Sequence, residues 1–155
     1  MWGNGMALPN ALFFIQNAFR ELGKPPHEVK LGSLFDGSGT MPLCAAMCGG
    51  HPVWASEVEP YPIAVTRTHL PHMKHLGSVT EIKGSKIEPV DIITFGSPCQ
   101  DLSIAGKTRR FEWRKVRSVQ RSNTDHPGNA GSNKRQIPAL CDLGKRAGCA
   151  FIERR

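Results

Sequence analysis

Leu12, Ile15, Phe19 and Leu22 recur at the spacing of one helical face, which predicts a helix over residues 9–23. Pro9 suits a first helical turn, and Gly23 followed by Pro25-Pro26 ends it. Residues 30–35, Lys-Leu-Gly-Ser-Leu-Phe, predict a short buried strand. It leads into Asp36-Gly37-Ser38-Gly39-Thr40, a glycine-rich turn, and then into a helix from Met41 to Cys48 closed by Gly49-Gly50. Residues 53–56 predict a second strand, ending in Glu57 and Glu59. A helix over 62–69, a short third strand within 77–82 and a fourth strand over 90–95 follow, the last stopped by Gly96-Ser97-Pro98. Strands alternating with helices predict an α/β fold built on a doubly wound sheet. No internal repeat interrupts this order.

Three places along that pattern carry candidate chemistry. The turn at Phe35-Asp36-Gly37-Ser38-Gly39 lies between a strand and a helix, where glycines let the backbone pass close to a nucleotide-bearing ligand. An ordinary strand-to-helix turn has the same look. Glu57 comes 20 residues after Gly37, at the end of the second strand, where an acid commonly accepts hydrogen bonds from both ribose hydroxyls. The alternative is a pair of solvated strand-end charges, Glu57 and Glu59. Cys99 follows the fourth strand, within Gly96-Ser97-Pro98-Cys99-Gln100-Asp101-Leu102-Ser103, at the edge of the sheet where the cofactor crevice would lie. A thiolate there is a soft nucleophile, whereas a buried structural cysteine is the alternative. Cys44 and Cys48, one turn apart on an apolar helix, read as structural.

Together these residues resemble the cytosine-5 DNA methyltransferase family. Phe35-x-Gly37-x-Gly39 is similar to its cofactor motif, and Pro98-Cys99-Gln100, extended by Ser103 and Ala105-Gly106-Lys107, to its catalytic motif. The likeness covers roughly residues 31–107. It implies a Rossmann-like S-adenosylmethionine-dependent fold, with cofactor contacts at Phe35, Asp36, Gly37, Gly39, Thr40, Glu57 and Pro98. DNA is the implied substrate, contacted through Gln100 and Ser103. The implied mechanism flips a cytosine from the duplex. Cys99 then adds to ring carbon C6, and C5 takes the methyl group. Loss of the C5 proton finally releases the thiol. In the family a Glu-Asn-Val motif assists at ring nitrogen N3.

This sequence departs from that pattern in three ways. The third-strand turn reads Gly77-Ser78-Val79, without the acid that in the family reaches the adenine amino group. No Glu-Asn-Val follows Cys99, and no target-recognition region is evident. Trp2-Gly3-Asn4-Gly5-Met6-Ala7 is similar to the family's last motif, which is normally carboxyl-terminal and walls the cofactor pocket; Asn4 is its candidate cofactor residue. Its position implies a permuted enzyme or two methyltransferases joined end to end, unless residues 1–30 are an unrelated helix.

Charge separates the tail from the rest. The net charge is +7, yet residues 1–107 hold eight Lys/Arg against nine Asp/Glu, and residues 108–155 hold twelve against four. The tail also lacks apolar periodicity. Back-translating residues 133–147 and reading from the second base of each codon permits Thr-Asn-Gly-Arg-Tyr-Pro-Arg-Phe-Val-Ile-Trp-Glu-Asn-Val, which holds the missing motif. Read the same way, Thr108 onward permits Arg-Ala-Gly-Leu-Asn-Gly-Glu-Arg-Ser-Gly-Leu-Phe. One extra nucleotide near Lys107 accounts for both. Three parts are thus expected: an amino-terminal helical part (1–30), a cofactor and catalytic part (31–107) and an out-of-frame basic tail (108–155). The tail is expected to be largely irregular, leaving an incomplete sheet with an exposed apolar edge.

The remaining features narrow the function classes. A chain of 155 residues suffices for one modest domain. No apolar run is long enough to span a bilayer, so no membrane partner is expected. No secretory signal is evident, and five cysteines without a paired framework fit reduced thiols, so a cytoplasmic protein is expected; the resemblance implies a bacterial or phage-encoded one. His69, His72 and His75 repeat every third residue, but Pro71 breaks the helix that would align them, and no metal is expected. The expected function is DNA (cytosine-5) methylation, of the kind used in restriction-modification, with low activity from this chain alone. A separate chain or neighbouring reading frame is then needed to supply the missing motifs. The alternatives are a non-catalytic fragment with a cationic tail that binds nucleic acid nonspecifically, and a thiol-dependent hydrolase, which needs a histidine base beside Cys99.

Overall fold

The computed structural model describes residues 7–95 and the backbone of 149–152. The first helix, α1 (Leu8–Leu22), carries Pro9 in its first turn and ends at Gly23, whose φ of 66° is the left-handed cap that glycine adopts without strain. Ala11, Ile15, Ala18 and Phe19 form its buried stripe, with Leu12 and Leu22 half-buried at the margin. β1 (Lys30–Leu34) then enters the sheet, followed by α2 (Thr40–Met47), β2 (His51–Ser56), α3 (Pro60–His69), β3 (Lys74–His75) and β4 (Ile92–Phe95). The strand order is β3-β2-β1-β4, all parallel, and β5 (Cys149–Ile152) pairs antiparallel with β4. The α/β architecture expected from the pattern is the one observed.

Two cores cover the two faces of the sheet. Val29, Leu31 and Ile92 pack with α1 and with Cys44 and Ala45 of α2. Leu34, Trp54, Val79, Ile82, Val90, Ile93 and Phe95 form the other cluster. Ile92 and its neighbour Ile93 fall in different clusters, as strand alternation requires. All four residues of β4 are buried, as in a strand covered on both faces. Gly32 lies under the Trp54 ring, where a Cβ would sit 2.3 Å from it. The β1–β2 ladder shifts register between Leu31 and Gly32.

The amino edge of the sheet is held by ionic contacts. The buried Asp91 carboxylate accepts from Lys24 Nζ at 2.7 Å and from the Lys30 amide at 2.9 Å. Lys30 Nζ in turn donates to Glu88 at 2.6 Å.

Two expectations are corrected. The third strand is not within 77–82; it is the two-residue edge strand β3, just before. Gly77 takes φ 70°, and the Ser78 hydroxyl lies 2.8 Å from that of Thr80 and accepts from its amide at 3.3 Å. These local bonds replace a ladder, while Val79 and Ile82 are buried from a loop. The free edge of β4 is likewise not exposed. Cys149, Ala150, Phe151 and Ile152 pair with Phe95, Thr94, Ile93 and Ile92.

Candidate cofactor site

Parallel strands deliver their carboxyl ends to one edge, and there the glycine turn and the acid of β2 meet. Gly37 N–H donates to Glu57 Oε2 at 2.7 Å. Glu57 Oε1 accepts from the amides of Val58 and Glu59 at 2.7 and 3.0 Å. The Asp36 amide donates to the Ser56 carbonyl at 3.1 Å. The turn after β1 is therefore clasped to the end of β2 by backbone and side chain together. The spacing of 20 residues between Gly37 and Glu57 is a contact in space.

The turn is conformationally unusual. Phe35 has φ 54°, the one positive φ of a non-glycine residue among the described residues, at a cost of about 1–2 kcal/mol. Gly37 (φ 60°) has open space where a Cβ would stand. Gly39 (φ 80°) does not: its Cβ would meet Thr66 of α3 at 2.9 Å. The two glycines thus serve different ends. Gly37 leaves room at the edge of the sheet, and Gly39 lets α3 pack against the start of α2, where Thr40 is the first helical residue.

Asp36 is the electrostatic oddity. Both of its carboxylate oxygens are buried and lack a hydrogen-bond partner. Burial pushes its carboxyl from 3.8 up to about 6, a rise that the Ser33 hydroxyl opposes and the charge of Glu57 reinforces. Ser33 lies near enough to act on it without completing a hydrogen bond. A buried carboxylate without a partner beside an open glycine is suited to a cationic or hydrogen-bond-donating group from a ligand.

Residues flanking Glu57 went unnoticed in the sequence pattern. Val58 and Tyr61 are 63% and 78% exposed, an apolar pair beside the acid. Their position directly after the acid of β2 was the available signal. The Ser56 hydroxyl donates to the Gly77 carbonyl at 2.7 Å, fixing the loop after β3 against the same edge.

Other candidates fall elsewhere. Asn4, Pro98, Cys99, Gln100 and Ser103 lie outside the described residues. Phe95 is the register partner of Leu34, so β4 ends one residue from the turn. Cys44 is fully buried on α2 and Cys48, its C-cap, half-buried, and burial pushes both thiols up, Cys48 adding to the rise at Cys44. His69 ends α3, His72 lies in the turn beyond and His75 sits on β3. Burial, assisted by the charge of Arg67, lowers the His75 pKa. A cavity of about 420 Å³ opens at the opposite edge, lined by Lys30, His51, Trp54, Lys74 and Glu88 among others. The strand starts line that cavity, so it is not the place where a doubly wound sheet binds its cofactor. Among the described residues no helix is long and apolar enough to cross a membrane.

Comparison with known proteins agrees with this geometry. The C-5 cytosine-specific DNA methylase family matches residues 29–116, running past Lys107, where the likeness was expected to stop. A DNA N-6-adenine-methyltransferase of Escherichia phage P1 is 35% identical over 83 residues, which are 51% of this chain and 11% of that protein. Type II methyltransferase M.HhaI of Haemophilus parahaemolyticus is 34% identical over 79 residues, 51% of this chain and 24% of that enzyme. The chain thus spans between a tenth and a quarter of these relatives. In solved structures, the fold is shared with a TehB-like S-adenosylmethionine-dependent methyltransferase of Corynebacterium glutamicum, at TM-score 0.52, 14% identity, and coverage of 76% of this chain and 58% of that one. The family match spans more than half of the sequence and contains both the glycine turn and its acid. The chain belongs to the C-5 cytosine-specific DNA methylase family.

Proposed function

We propose that this chain is the cofactor-binding and nucleophile-bearing portion of a DNA (cytosine-5)-methyltransferase, acting on cytosine in duplex DNA. The observation that carries the reading is the 2.7 Å clasp between Gly37 N–H and Glu57, with the unpartnered Asp36 carboxylate beside it. S-adenosylmethionine, when bound, supplies an electrophilic methyl group. An ionised carboxylate offers about four acceptor positions. Three on Glu57 are taken by amides, which leaves Oε2 one for a ribose hydroxyl. Two hydroxyls on Glu57, the simpler expectation, require one amide to give way. Asp36 faces the same edge and would accept from the cofactor's amino group. The exposed side chains of Val58 and Tyr61 offer an apolar surface for a flat base.

Cys99 is the proposed nucleophile. In the sequence it is the fourth residue after Phe95, the register partner of Leu34 at the end of β1. Its thiolate would add to C6 of an extruded cytosine, making C5 nucleophilic, and would leave when the C5 proton is lost. Pro98, Gln100 and Ser103 flank it as candidate cofactor and substrate contacts, and Asn4 as a further cofactor contact. The adenine N-6 activity in the name of the phage P1 relative belongs to a protein of which this chain matches 11%. The Pro98-Cys99-Gln100 element supports attack at a pyrimidine carbon instead.

The test is covalent capture. Duplex DNA carrying 5-fluorocytosine cannot lose a C5 proton after methyl transfer, so it traps the adduct in the presence of S-adenosylmethionine. Capture by the chain, abolished by Cys99→Ser, supports the reading. Cofactor binding with no capture is the outcome for a non-catalytic portion. Because the chain spans so little of its relatives, turnover by it alone is expected to be low, and rapid turnover would refute that part.

A further inference from the structure

Each of the first three strands opens with a basic residue: Lys30 in β1, His51 in β2 and Lys74 in β3. Parallel pairing carries these residues to one edge of the sheet, with Lys30 the register partner of His51 and Lys74 that of Trp54. This edge lies opposite the glycine turn, and the cavity of about 420 Å³ opens there. His72, in the turn ahead of β3, is a fourth basic residue of the lining. Met73 beside it is buried and ties that segment to the interior.

The cavity has two kinds of wall. Val53, Leu76 and Ile87 are the half-buried margin of the second core and give it an apolar side. The rim is cationic. Its one acid, Glu88, is neutralised by Lys30 Nζ at 2.6 Å. The Glu88 carbonyl accepts from Trp54 Nε1 at 2.9 Å, so the residue is fixed from two directions. The side chains of His51, His72 and Lys74 have no hydrogen-bond or ion-pair partner among the described residues.

A concave site of this volume, apolar on one side and lined by a few polar groups, is the form that small-ligand sites take. Cationic groups without acceptors favour an anion. Three separate donors suit the three terminal oxygens of a phosphate monoester better than the two of a carboxylate. We propose that this cavity binds a phosphate monoester carried on a small apolar body. Lys74, His51 and His72 hold the phosphate, and Val53, Leu76 and Ile87 cover the body. Lys30 stays with Glu88, whose carboxylate would otherwise repel the ligand. The site is separate from the cofactor edge and does not rest on the methyl-transfer reading.

The test is a titration of the full chain with phenyl phosphate, followed through the indole Nε1–H resonance of Trp54. Trp2→Phe and Trp113→Phe leave that indole signal alone in the spectrum. A saturable shift within about 10 mM ligand is expected, with inorganic phosphate at least about threefold weaker because it leaves the apolar wall wet. Lys74→Ala should weaken binding about tenfold, and Lys74→Arg should keep most of it. Lys74 is exposed, so neither change should move the urea midpoint. Glu88→Gln removes the acid and frees Lys30, and should tighten binding about threefold. Saturating S-adenosylmethionine should leave the titration unchanged. The proposal is overturned by no shift, by a shift that Lys74→Ala leaves intact (uptake by the basic tail), or by weaker binding in Glu88→Gln. Equal binding of inorganic phosphate, or competition by S-adenosylmethionine, overturns it as well. Catalysis does not enter the readout.

Discussion

Replacing Glu57 by glutamine tests the clasp with almost no change of shape. The side chain now accepts three amide hydrogen bonds, at 2.7, 2.7 and 3.0 Å. Glutamine has one oxygen. If it stays with the Val58 and Glu59 amides, an NH2 group faces the Gly37 amide, donor against donor. If it turns, two amides lose their acceptor instead. A hydrogen bond to a charged group contributes about 1.5–3 kcal/mol, and an abandoned amide costs about 1 kcal/mol more where water cannot reach it. Glu57 is half-buried, so water recovers part of that loss, and about 1–2 kcal/mol is the expected destabilisation. The ribose acceptor on Oε2 is also weakened, so S-adenosylmethionine affinity should fall about 10- to 100-fold, at about 1.4 kcal/mol per tenfold. Urea unfolding gives the first quantity and isothermal titration the second. If Glu57→Gln leaves both within experimental error, the contact is incidental and the turn is an ordinary one.

Asp36 should set a pH dependence of opposite sense to that of a salt-bridged acid. Its folded pKa, about 6, lies above the ordinary value of 3.8, so the protonated form favours the fold. That contribution is full below about pH 4 and is lost as pH rises through about 6, which makes the ligand-free chain about 2–3 kcal/mol less stable at pH 7. Asp36→Asn should flatten the dependence and stabilise the ligand-free chain at pH 7 while weakening the cofactor; urea midpoints at pH 4 and 7 decide this. Gly37→Ala should cost only about 1–2 kcal/mol in stability, from its positive φ, yet weaken cofactor binding more than tenfold. Gly39→Ala adds a clash with Thr66 and should cost more, about 2–4 kcal/mol in the same unfolding assay. Asp91→Ala leaves Lys24 and the Lys30 amide without their acceptor, and about 3 kcal/mol should be lost in unfolding while the fraction that remains folded binds the cofactor normally.

Much of this arrangement is legible in the chain because the informative signals are local. Leu12 to Leu22 repeat with one helical period, and the stretches at 30–35 and 90–95 are short runs closed by glycine turns, as buried strands of an α/β fold are. The acid after β2 is legible from its distance to the glycine turn. What was not legible depends on neighbours. β3 is two residues long and has no alternation to detect; the more apolar 77–82 stretch draws attention, although Gly77 and the Ser78–Thr80 bonds turn it away from the sheet. The roles of Gly37 and Gly39 differ only because Thr66 of α3 stands over one of them. The raised pKa of Asp36 comes from burial beneath a turn, which no pattern of residue types reveals. The pairing of β5 with β4 joins residues more than fifty positions apart and follows from an edge in need of hydrogen bonds.

The most direct test is to map where the intact chain takes up S-adenosylmethionine, by amide hydrogen exchange with and without the cofactor. Slowed exchange at the amides of residues 35–40 and 56–59 is the predicted result. Protection at the starts of the strands, around Lys30, His51 and Lys74, or none at saturating cofactor, would contradict the account.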